Sequence, residues 1–105
     1  MVEFTIAMLL IAAAPGATSE NREAFARCLK DHVRTSVEQK ATAETFGSSL
    51  ASACKDKELA LRNALIAADI AMGMKRAASE KSAAEQVADY RIMAKEDFEA
   101  AEKSP

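Results

Sequence analysis

Two cysteines and a single histidine fall close together in this chain: Cys28, His32 and Cys54, within CLKDHVRTSVEQKATAETFGSSLASAC. Thiolates and imidazoles bind metals and carry redox or nucleophilic chemistry, so they are the first residues to test. Their spacing argues against both roles. The cysteines do not form the CxxC pair of a thioredoxin-like centre. A structural zinc site takes four ligands, and two thiols with one imidazole cannot fill it. His32 follows Cys28 by four residues, which on a helix gives them one face. Two groups on a face make His32 only a weak metal candidate, and Asp31 points about 100° away around a helix, too far to orient it as a base. An even pair of cysteines in a small exported chain fits a structural disulfide between Cys28 and Cys54. Closing about 26 residues in this way contributes on the order of 3 kcal/mol.

The remaining chemical candidates are thinner. Met72-Gly73-Met74 offers two thioethers, which suit Cu(I). On an unbroken helix those two side chains lie roughly 200° apart and cannot share an ion. Met72 and Met74 therefore stand beside His32 as weak candidates; no metal or cofactor is expected, and Gly73 is read as a point of close helix approach. Glu58, Arg62, Asp69 and Arg76 alternate in charge along one side of a helix. They read either as a solvated ion-paired strip or as the polar rim of a partner's docking site. Glu96, Asp97, Glu99 and Glu102 match no calcium loop and have Lys95 and Lys103 for neighbours, so they read as solvated surface. No G-x-S-x-G elbow, phosphate loop, HExxH or N-x-S/T acceptor occurs. No residue constellation supports a reaction, and the chain is read as a non-enzyme.

These side chains have to be positioned by something, and the first question is which residues belong to the folded part. The opening MVEFTIAMLLIAAAPGATSE is apolar without interruption from Ile6 to Ala14 and has no Lys or Arg before Arg22. A spanning helix needs roughly 20 apolar residues, so this run is too short. It suits the apolar core of a secretory signal peptide over residues 1–17, with small residues around Ala14 and Ala17 for cleavage. An uncleaved tether and a buried first helix are the alternatives. Removal of residues 1–17 keeps all 14 basic residues and takes only Glu3 from the 16 acids, leaving a net charge of −1. A near-neutral, mixed surface leaves no footprint for nucleic acid, and a membrane role would rest on an uncleaved N-terminal segment.

Residues 18–105 read as one all-α domain. No segment shows the alternation of a strand, and no proline separates Pro15 from Pro105. Phe25, Leu29, Val33 and Val37 recur every four residues on a first helix over 19–40, capped by Thr18 or Ser19. Phe46, Leu50 and Cys54 continue the pattern on a second helix. Two turns could separate these helices, at Ala41-Thr42 or at Gly47-Ser48-Ser49. Only the first makes Cys28 and Cys54 level in an antiparallel hairpin. A turn at Gly47 would offset them by roughly 18 Å, against the Cα separation of about 6 Å that a disulfide tolerates. With the bridge formed, the turn lies at Ala41-Thr42 and Gly47 falls inside a helix.

The second helix is read as running over 43–78, continuous or bent near 55–57. Its stripes Leu61, Leu65, Ala68, Met72 and Leu59, Ile66, Ile70, Gly73, Ala77 would pack on two sides. Ser82-Ala83-Ala84-Glu85 fits a capping box and starts a last helix over 83–103, with Val87, Tyr90, Ala94, Phe98 and Ala101 inward. The architecture expected is a small up-down bundle of three helices, or four if the middle one breaks, with the first hairpin stapled. The function expected is a secreted or periplasmic protein that binds another protein or the envelope. The alternative is a carrier of a small molecule or of copper.

Overall fold

A computed structural model describes residues 16–103, so the expected leader lies outside the described residues except for its last two positions. The chain forms α1 (Gly16–Glu38), α2 (Ala43–Ala53), α3 (Lys55–Ala71) and α4 (Arg76–Lys103), with no strand among the described residues. α1 begins upstream of Thr18 and Ser19, which sit within its first turn instead of capping it. Its inward face carries buried Phe25 and Leu29, with Cys28, Val33 and Val37 packed against the same core. It ends where Lys40 adopts a left-handed φ of 58°. Ala41 N–H then donates to Ser36 O at 2.9 Å and Lys40 N–H to Val37 O at 3.0 Å, closing a Schellman turn. Thr42 starts α2 by accepting the Thr45 N–H at 3.0 Å on its side-chain oxygen. The chain therefore reverses at Gln39–Thr42, and Gly47 lies inside α2.

A disulfide joins Cys28 of α1 to Cys54 at the end of α2, with a Cα separation of 6.0 Å. Cys54, at φ −123° and ψ 35°, is itself the single non-helical residue between α2 and α3. The expected 43–78 helix is thus broken here, just before the Lys55–Lys57 bend and without any Gly or Pro. The interruption coincides with the residue that is covalently held to α1.

A second break ends α3 at Ala71, seven residues short of the expectation. Gly73 takes a φ of +95°. Its N–H donates to Ile70 O at 3.0 Å, and Met74 N–H donates to Asp69 O at 2.9 Å, which is again the Schellman pattern. Gly73 ends a helix here; it does not seat a neighbouring one, since a Cβ built on it would meet nothing within 4 Å. α4 correspondingly begins at Arg76 instead of residue 83. The Ser82–Glu85 pattern falls in mid-helix, where Ser82 Oγ accepts from Gln86 Nε2 at 3.3 Å. Ser79, fully buried in the added turn, anchors it by donating to Asp69 Oδ2 at 2.8 Å.

The helices stand in three columns: α1, then α2 followed by α3, then α4. Phe25 meets Tyr90 edge-on with ring centroids 5.5 Å apart, and Arg22 donates to Gln86 at 2.6 Å. These contacts set α1 and α4 parallel. The Ser79–Asp69 and Arg91–Glu58 contacts set α3 and α4 antiparallel, a register that places Leu61 opposite Val87 and Leu65 opposite Ala83. All four of those residues are buried. At the far end Phe46 and Phe98 stack with centroids 4.3 Å apart and planes within 3°.

α3 packs on two sides, against α1 and α4, but part of its apolar surface stays uncovered. Leu61 and Leu65 are buried, but Leu59 is 57% exposed and Ile70 39%. With only α1 and α4 beside it, one arc of α3 has no neighbour. No helix among the described residues is long and apolar enough to cross a membrane.

Candidate functional site

His32 lies half-buried on α1, facing α2. Its ring stacks on Phe46, with centroids 5.2 Å apart and planes 19° apart. Its Nε2 is 2.8 Å from Ser49 Oγ. Ser49 Oγ also lies 3.0 Å from Phe46 O, so its hydroxyl bridges the ring and the α2 backbone. Asp31, the nearest acid in sequence, instead pairs with Arg34 at 3.1 Å. Neither cysteine is free to join His32 as a ligand, because both are in the bridge. Among the described residues no three His, Cys, Asp or Glu side chains gather where a metal could sit.

Met72 and Met74 lie in the α3–α4 turn rather than on a helix, so the opposed directions expected of them do not apply. Both are exposed, Met72 at 86%. They sit in a different part of the molecule from His32, which packs against α2, and the three do not converge.

The charged strip is also divided. Glu58 accepts from Arg62 Nε at 3.0 Å within α3 and from Arg91 of α4, forming a two-arginine, one-carboxylate cluster in the seam. Asp69 faces the same seam and holds Ser79. Arg76 belongs to α4, where it is exposed and only 4.0 Å from Glu80. The strip is therefore mostly an α3–α4 seam, and its fourth member points elsewhere. Arg91 carries no sequence signal as a partner of Glu58, since it comes from a different helix 33 residues away.

Alongside this seam the surface is apolar. Leu59 and Ile70 are exposed on one face of α3, and Ile66 between them is half-buried against the core. Arg91 brings α4 beside Glu58, and Ile92, next in sequence, is 54% exposed. A separate shallow groove of about 200 Å³ runs between α1 and α4, floored by Leu29, Val33 and Ala94 and edged by Lys30, Met93 and Asp97.

No protein family, curated protein or solved structure matches this chain. Its function has to be read from these surfaces alone.

Proposed function

We propose that this is an exported, disulfide-stapled helical protein that works by binding another protein and catalyses no reaction. The observation that carries the reading is the outer face of the α3–α4 seam. Leu59 is more than half exposed there, beside the arginines that flank Glu58, and Ile92, one residue after Arg91 and about 100° round α4 from it, is also more than half exposed. Exposed apolar side chains rimmed by polar ones mark interaction sites, and Arg is among the residues enriched at binding hot spots. The disulfide supports the export half of the proposal, since such bonds persist in oxidising compartments.

The test places a photo-activatable residue at Leu59, at Ile92 and, as a control, at exposed Glu44. Trapping one protein of a single mass from Leu59 and Ile92, and not from Glu44, is the expected result. If neither seam position yields an adduct in the native compartment, the reading fails. Intact mass of the protein recovered from its host checks the export half: a chain cut near Ala17 and lighter by two hydrogens is expected.

A second reading, a carrier for a small apolar ligand, is favoured by the α1–α4 groove. Its apolar floor and single Lys and Asp at the rim fit the general form of a ligand site. Titration with a fluorescent apolar probe, and its loss in Val33→Trp, separates this reading from the first.

A further inference from the structure

The α3–α4 turn has a composition unlike the rest of the surface. Between Asp69 and Glu80 the chain reads IAMGMKRAAS, which holds two adjacent cations and no acid. The apolar side chains in it are turned outward: Ile70, Met72 and Met74 are all exposed. This happens because Gly73 ends α3 in a left-handed conformation and leaves the flanking methionines off any helix face. Lys75 makes no ion pair among the described residues, and Arg76 has only Glu80, at 4.0 Å. On the α3 side of the turn, the Asp69 carboxylate is turned inward to Ser79.

Among the described residues, the rest of the bundle leaves this tip clear. The Arg22–Gln86 and Phe25–Tyr90 contacts set Gly16 level with about residue 80. The tip therefore projects roughly 6 Å past Gly16, the first described residue of α1, taking 1.5 Å per residue. The first acids of α1, Glu20 and Glu23, stand level with residues 84–88, about 12–18 Å back. That exceeds the screening length of about 8 Å at physiological ionic strength. Near-neutral charge over the whole chain conceals a tip that is apolar at its apex and cationic at its shoulder.

We propose that the α3–α4 turn docks on anionic lipid, with Met72 and Met74 entering the interface and Lys75 and Arg76 meeting the headgroups. Apolar side chains that enter a bilayer interface next to cations bind with a strength that depends on acidic lipid.

The chain has no Trp, so one introduced indole reports on one place. Met72→Trp in the full chain, mixed with vesicles of phosphatidylglycerol and phosphatidylcholine, is expected to shift its emission to shorter wavelength. On phosphatidylcholine alone the partitioning should be weaker by at least about tenfold, and adding K75E/R76E should lose as much. Ala100→Trp is the control: Ala100 is exposed but lies about 36 Å along α4 from Arg76, and the emission of that variant should not move. The proposal is overturned if the Met72→Trp protein does not respond to acidic vesicles, if the Ala100→Trp protein responds equally, or if neutral vesicles give the same shift.

Discussion

Ser79 and Asp69 tie α3 to α4 beside their shared turn: the fully buried Ser79 hydroxyl donates to the Asp69 carboxylate at 2.8 Å. This bond explains why α4 begins where it does. Residues 76–81 contain no cap signature, but Ser79 in that turn has a charged partner waiting on α3. Ser79→Ala should cost about 1–2 kcal/mol, since it leaves Asp69 without the donor it faces. Urea unfolding measures it, and Asp69→Asn, which keeps an acceptor, should retain most of the stability. Equal losses from the two variants would mean that charge at Asp69, not the bond, is what matters.

Three backbone positions should respond in predictable directions. Gly47 lies within α2 with nothing within 4 Å of a Cβ, so Gly47→Ala should stabilise by about 0.5–1 kcal/mol. Gly73 at φ +95° is the reverse case, and Gly73→Ala should cost about 1 kcal/mol or more. Lys40 holds a φ of 58° as a non-glycine; Lys40→Gly should be neutral or stabilising by up to about 1 kcal/mol. Each appears as a shift of the urea midpoint at unchanged slope. A stabilised Gly73→Ala would contradict the turn described here.

The bridge should contribute more than any single hydrogen bond. Replacing both Cys28 and Cys54 by serine should cost about 3 kcal/mol. Part of that loss should concentrate at the α2–α3 junction, because Cys54 is the residue at which the helix is interrupted. Hydrogen exchange read on the helical amides around Cys54 checks this. Uniform loss across all four helices would show that the bridge acts on the unfolded chain alone.

The stacked pair Phe46 and Phe98 joins the α2 end of the middle column to the C-terminal part of α4. Both are 1% exposed, so either change to Ala should cost about 3–5 kcal/mol. The double-mutant cycle should return a coupling of about 0.5–1.5 kcal/mol for the ring contact itself. Thermal or denaturant unfolding of the four proteins measures it, and additive losses would remove any specific stacking contribution.

Much of the first hairpin is legible in the sequence. The four-residue recurrence of Phe25, Leu29 and Val33 is a local property of the chain, and a disulfide has a narrow range of Cα separations. Together they select the Ala41-Thr42 turn over the more visible Gly47. Thr42 as the cap of α2 follows from the same register. The breaks at Cys54 and Gly73 are not legible in that way. Lys55–Lys57 carries no breaker residue, and a glycine reads the same in sequence whether it seats a helix or ends one. Ser82–Glu85 has the residues of a capping box, yet a helix already begun at Arg76 runs through it without using it.

Helical class, the cysteine pairing and the position of the first turn come from periodicity and covalent geometry, which act over a few residues or through one bond. Which apolar stripe of α3 stays outside, that Arg91 joins Glu58, and that Met72 and Met74 project from a turn depend on how many neighbours each helix finds. α3 has two, and the face beyond their reach keeps Leu59 and Ile70 in the open. Burial is a property of the assembled columns, so no reading of α3 alone could assign it.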